Sequence, residues 1–154
     1  MNDLCLPNAE VIGNEFIYYN FKNNVIKLPK VKIIGDYFLG NNKELEILEI
    51  PSVEEIGDKF MFTNDSLKKI ECPYLIKIKD QFLYANCKLR ELNVPNLTFV
   101  GNQFLYWNTS LEHCDFSNDI EIGSDFLSHN KNLLMYLKTF NINVKQKIKT
   151  LKKW

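Results

Sequence analysis

The 154-residue chain is poor in the residues that usually carry chemistry. It holds only two histidines and four cysteines, and Cys5, Cys72, Cys87 and Cys114 form no C-x-x-C pair and share no ligand spacing with His113 or His129. A zinc site and a disulfide framework are therefore not expected, and the thiols read as reduced and mostly core. No run of 18 apolar residues exists, so no spanning helix and no membrane insertion are expected. The opening MNDLCLPNAEVIG lacks the basic and long apolar regions of a secretory signal. The chain as written is expected in the cytoplasm, or at the cell surface or secreted if it is a fragment of a longer protein. No glycine-rich phosphate loop appears, and no cofactor is expected.

What is present is a soluble globular composition, 45% apolar and 25% charged, long enough to bury a core. The formal net charge of zero hides an asymmetry. Residues 1–130 carry 12 Lys/Arg against 19 Asp/Glu, and the last 24 residues carry seven lysines and no acid. Body and tail can neutralise each other, or the tail can meet an acidic partner. A nucleic-acid tail is not expected, because no arginines or surface aromatics interleave the lysines.

The few prolines and glycines are not scattered. All five prolines fall at 7, 29, 51, 73 and 95, a constant step of 22. Phenylalanine recurs at 16, 38, 60, 82, 104 and 126, and asparagine at 20, 42, 64, 86, 108 and 130. Leucine fills 45, 67, 89, 111 and 133. Isoleucine or valine fills 12, 34, 56, 78, 100 and 122, each followed by glycine except at Lys79. Registered columns of this kind define a solenoid.

Each mark has a physical task. The L-x-x-I-x-I segment alternates apolar and polar residues, the period of a half-buried strand. One such strand per coil would stack into a parallel sheet with coils about 4.8 Å apart. Proline lacks the N–H of a ladder and ends the strand. Glycine suits a sharp corner with positive φ, and Lys79 requires either a corner of negative φ or some strain. Asn14, Asp36, Asp58, Asp80, Asn102 and Ser124 are helix N-cap residue types ahead of one helical turn whose Phe and Leu point inward. The recurrent asparagine then bonds backbone groups of adjacent coils.

The unit LEILEIPSVEEIGDKFMFTN at 45–64, with its copies from Leu4 to about Asn132, resembles the leucine-rich repeat family and most closely its bacterial BspA-like subtype. It departs from that subtype in a slightly shorter period and in asparagine where cysteine is frequent. The resemblance implies a leucine-rich-repeat solenoid of the right-handed α/β superhelix type: a parallel sheet on one side, short helical or 3-10 turns on the other. Residues 1–132 are expected to form six coils. In the sixth, Ser117 replaces proline and Asp119 replaces a buried apolar residue, with Ile120 shifting in to compensate. Residues 133–154 are expected to form a C-terminal cap with a Lys-rich end, Ile148 and Leu151 packing inward.

No catalytic constellation is expected. His113 beside Asp115 and Glu91 could serve acid–base work, but reads as a solvated polar face. The sequons at Asn64, Asn96 and Asn108 are not expected to carry glycans, since two of them are ladder asparagines. The resemblance implies binding of a protein or peptide through the exposed sheet face. Alternation puts Val25, Ile47, Lys69, Glu91 and His113 in one outward row and Lys27, Glu49, Glu71, Asn93 and Asp115 in the next. Their acidic surplus suits a basic partner. A second surface is an aromatic line at Tyr18, Phe62, Tyr84 and Tyr106, flanked by Tyr19 and Trp107; it serves as a lid over neighbouring coils, or as a carbohydrate site. The first coil lacks a cap, so its edge could self-associate, or the chain could be a structural segment of a larger surface or adhesin-like repeat protein.

Overall fold

The computed structural model describes residues 3–19, 22–117, 120–130 and 132–133. Each 22-residue coil contributes two short strands, not the single strand expected. The first set is β1 (Asp3–Cys5), β3 (Val25–Lys27), β5 (Ile47–Glu49), β7 (Lys69–Glu71), β9 (Glu91–Val94) and β11 (His113–Phe116). The second is β2 (Val11–Ile12), β4 (Ile33–Ile34), β6 (Glu55–Ile56), β8 (Lys77–Ile78), β10 (Phe99–Val100) and β12 (Glu121–Ile122). Every pairing is parallel and joins a residue to its counterpart 22 positions on, as in Ile26 with Leu48 and Ile34 with Ile56. The second strand arises because coils stacked in register bring any extended segment beside its copy. The stretch between the proline and glycine corners therefore pairs as readily as the leucine stretch does.

The second set forms one continuous six-stranded sheet. The first set is divided into two three-stranded blocks, β1-β3-β5 and β7-β9-β11. Prolines stand at the corners where the first strands end; in coil three, Val53 N–H closes the turn onto Ile50 C=O at 3.3 Å.

The third side of the coil is not a helical turn. In each of the six turns three alternate residues are left-handed, for example Lys59 (φ 54°), Met61 (φ 50°) and Thr63 (φ 54°) in coil three. Non-glycine residues pay about 1–2 kcal/mol for this conformation. The return is hydrogen bonding in both directions along the stack. Lys59 N–H donates forward to Asp80 C=O at 2.8 Å, Met61 N–H donates backward to Phe38 C=O at 2.8 Å, and Thr63 N–H donates forward to Tyr84 C=O at 2.9 Å. A helical turn would satisfy its own groups and leave the neighbouring coils unbonded.

Two polar ladders run beside it. The N-cap-type residues cap the next coil and not their own turn: Asp58 N–H donates to Asp36 Oδ1 at 2.9 Å, Asp80 N–H to Asp58 Oδ1 at 2.9 Å, and Asn102 N–H to Asp80 Oδ1 at 2.7 Å. Asn64, Asn86, Asn108 and Asn130 behave as expected, whereas the buried Asn42 amide makes no hydrogen bond among the described residues. Asn86 Nδ2 donates to Met61 C=O at 2.8 Å, Asn108 Nδ2 donates to Leu83 C=O at 2.7 Å, and Asn86 Oδ1 accepts Asn64 N–H at 3.1 Å. Asn42, Asn64, Asn86, Asn108 and Asn130 are all buried, so the sequons at Asn64 and Asn108 are closed to glycosylation. Asn20 lies outside the described residues.

Apart from Gly13, where an added Cβ would meet nothing within 4 Å, the glycines serve close approach, not positive φ, which none of the six adopts. A Cβ on Gly57 would stand 2.4 Å from Asp36 Oδ1 and 2.7 Å from Gly35 C. Lys79 likewise avoids positive φ, so the corner tolerates a side chain, and its coil keeps the Asp80–Asp58 bond.

The core is a set of columns. Phe16, Phe38, Phe60, Phe82, Phe104 and Phe126 stack in sequence with ring centroids 5.1–6.0 Å apart and planes within 10° of parallel. Ile120 is buried, the inward shift expected for the sixth coil, while Asp119 lies outside the described residues. Leu133 is buried, and the remainder of the expected cap, with Ile148 and Leu151, is also outside them. At the first coil Leu4, Leu6, Ala9, Phe16 and Ile17 pack on the core while staying partly exposed. Cys72 and Cys114 are core thiols, as expected; Cys5 and Cys87 are exposed.

Candidate interaction site

Strand alternation alone decides which side chains reach the outer face of the first sheet. In β5 and β7 the central Leu48 and Ile70 point inward, so Ile47, Glu49, Lys69 and Glu71 point out and are exposed. Glu91, His113 and Asp115 are exposed too, and Lys27 and Asn93 are half-buried. Parallel pairing aligns Lys69, Glu91 and His113 in one row and Glu71, Asn93 and Asp115 in the other. Val25 departs from the expectation. It is 6% exposed, although it lies in the Ile47 row between Asp3 and Ile47. Strand alternation assigns a direction, and burial also depends on what stands beside the residue; Val25 is no accessible contact.

The charges on this face are organised. Lys27 Nζ meets Glu49 Oε1 at 2.9 Å, and Lys69 Nζ meets Glu71 Oε1 at 2.7 Å and Glu91 Oε2 at 3.5 Å. The hydrogen bond to Glu49 raises the Lys27 pKa above its ordinary value, and that to Glu71 does the same for Lys69. Water screens these half-exposed pairs, so they orient side chains more than they stabilise the fold. Two lysines face four carboxylates among the ten predicted residues, an acidic surplus of two.

The face is not flat. The divide between β5 and β7 falls between Glu49 and Glu71, and a groove of about 410 Å³ lies across it, lined by Leu48, Glu49, Pro51, Glu71, Pro73 and Asn93. A second groove, beside Glu46, Ile47, Ser66, Lys68 and Lys88, crosses the same two coils from the other margin. Sequence reasoning found the rows and missed the divide, because β5 and β7 carry the same repeat marks as their neighbours.

The aromatic line is mostly a lid. Phe62 stacks on Tyr84 at 4.8 Å and Tyr84 on Tyr106 at 5.1 Å, so their faces cover one another and their edges meet solvent. Trp107 leans against Tyr84, Tyr106 and His129 and is 46% exposed. Tyr18 does not join the stack; it meets Tyr19 and Tyr37 edge-on. Burial raises the Tyr18 pKa, assisted by its hydrogen bond with Tyr19.

His113, Asp115 and Glu91 are all exposed on the sheet face. Among the described residues no group of three or more His, Cys, Asp or Glu could hold a metal ion, and no helix is long and apolar enough to cross a membrane. Comparison with known proteins gives one match. A family model described as BspA type Leucine rich repeat region fits residues 10–134 in six copies. No curated protein and no solved structure matches the chain.

Proposed function

Because the chain belongs to the BspA-type leucine-rich repeat family, we propose that it is a non-enzymatic interaction module that binds a basic protein segment across the face of its first sheet. The observation that carries this reading is the groove over the β5–β7 divide. It combines apolar walls from Leu48 and the two prolines with Glu49 and Glu71, which stand opposite each other across the divide. The lysine partners of these carboxylates sit to their sides, so a cation entering from solvent has both acids to approach. An extended chain carrying Lys or Arg would place its charge between them and its neighbouring apolar side chain against proline.

A pull-down with the wild-type chain and a Glu49→Lys, Glu71→Lys double variant tests this. The substitutions turn the ten-residue surface from a net charge of −2 to +2. Loss of specific basic partners from the variant supports the reading, and identical catches from both proteins sink it. A second reading, a structural segment that extends a stack of coils, draws on the partly exposed apolar residues of coil one. Such an edge invites pairing with another chain. Light scattering separates the two: a strict monomer at high concentration refutes edge-to-edge association.

A further inference from the structure

The aromatic stack of the turn side is interrupted once. Where coils three to five carry Phe62, Tyr84 and Tyr106, coil two carries Gly40. The ring of Tyr18, from coil one, leans over that glycine: a Cβ on Gly40 would lie 2.3 Å from its Cε2. Gly40 is therefore required for Tyr18 to take this position. Tyr18 in turn packs edge-on against Tyr37, 5.8 Å between centroids, and leaves Phe62 unstacked on that side among the described residues. The result is a groove of about 420 Å³ walled by Tyr18, Tyr37, Lys59, Phe62, Gln81 and Gln103. This lies within the size range of small-ligand sites, about 300–1,000 Å³.

The polar groups around the unstacked ring are specific in kind. Lys59 Nζ donates to Tyr37 Oη at 2.9 Å and lies 4.6 Å from the centre of the Tyr37 ring, and it makes no ion pair among the described residues. No carboxylate lines the groove. With its oxygen accepting from Lys59, Tyr37 keeps its own hydroxyl proton for another acceptor. Gln81 Nε2 donates to Gln103 Oε1 at 2.7 Å, which fixes the two amides against each other along one wall of the groove.

We infer that this groove binds an acidic glycan, with the C–H face of a pyranose against Phe62, the Tyr37 hydroxyl donating to a sugar oxygen and the sugar carboxylate paired with Lys59. Sugars fit this lining because they present apolar C–H surface and oxygens that accept hydrogen bonds, matching a ring face set beside a phenolic donor. The ammonium of Lys59, which makes no ion pair among the described residues, selects the charged members of the class. The site is on a different side of the coil from the sheet-face groove and shares no lining residue with it.

Isothermal titration of the full chain with oligogalacturonate, hyaluronan oligomers and sialyllactose tests the inference, with methyl-esterified oligogalacturonate and triglutamate as counter-probes. At least one acidic sugar is expected to bind. The methyl ester is expected to bind about tenfold more weakly than the free acid, a 1.4 kcal/mol difference, and triglutamate is expected to give no heat. Lys59→Gln and Tyr37→Phe, checked for folding by circular dichroism, should each weaken the acidic sugar by a similar factor. The Glu49→Lys, Glu71→Lys variant should retain full affinity for it. Binding to none of the three sugars overturns the inference, as does equal binding of ester and acid, of triglutamate and sugar, or of Lys59→Gln and wild type.

Discussion

Replacing Phe82 by alanine probes the stacked core at its centre. The ring is fully buried and lies 5.1 Å from Phe60 and 5.6 Å from Phe104. Removing a buried phenylalanine costs about 3–5 kcal/mol through lost transfer energy and the cavity left behind. Part of that is the two ring pairs, each worth about 0.5–1.5 kcal/mol beyond burial. Phe82→Leu retains most of the volume and loses both pairs, so about 1–3 kcal/mol is expected from the pairs alone. Phe16, at the first coil, has one ring neighbour among the described residues and is only half-buried, so Phe16→Ala should cost clearly less than Phe82→Ala. Urea denaturation followed by circular dichroism gives all three values. In a stack where each coil contacts only its neighbours, the central cavity should also broaden the transition as the halves uncouple. A loss below about 1 kcal/mol for Phe82→Ala, or equal losses at Phe16 and Phe82, would refute the column as the organising contact.

Two further outcomes follow from buried polar groups. Asn86→Ala strips partners from Met61 C=O and Asn64 N–H and should cost about 2–5 kcal/mol in the same urea assay. Asn42→Ala should cost less, because the Asn42 amide has no hydrogen-bond partner among the described residues for either of its polar atoms. Burial raises the thiols of Cys72 and Cys114 above their ordinary values. The unfolded chain therefore releases these protons first as pH rises. Stability should hold below about pH 8.5 and fall above it by up to about 1.4 kcal/mol per pH unit for each thiol. A Cys72→Val, Cys114→Val variant measured between pH 8 and 10 should flatten that slope, and an unchanged slope would remove the thiols as its source.

The repeat was legible because each column mark does one job in every coil: Phe82, Asn86 and Pro73 all stand where their spacing places them. The backbone between the marks was less so. A segment such as Asp58–Thr63 reads equally well as a helical turn and as an alternating left-handed turn, since both point Phe60 and Met61 inward. Only bonding to the neighbouring coils chooses between them, and that is absent from the local sequence. The same blindness turned Asp36 into a cap for its own coil when it caps the next, and gave Gly57 a φ it does not adopt instead of the space it vacates. On the candidate surfaces, the rows around Glu49 and Glu71 followed from alternation. The groove between them, the buried Val25 and the opening made by Gly40 depend on departures from periodicity that only assembled coils express.

The strand pairings join each residue to its copy one period away, and the polar ladders bridge the same adjacent coils. The gene for such a chain can therefore lengthen or shorten by whole units and leave every remaining interior bond with an equivalent mate. Loss or gain of a single codon within a unit has no such refuge, because it displaces one winding against both others it touches. Evolution of this architecture should proceed by duplication and deletion in blocks of 22, with point substitution confined to the outward rows.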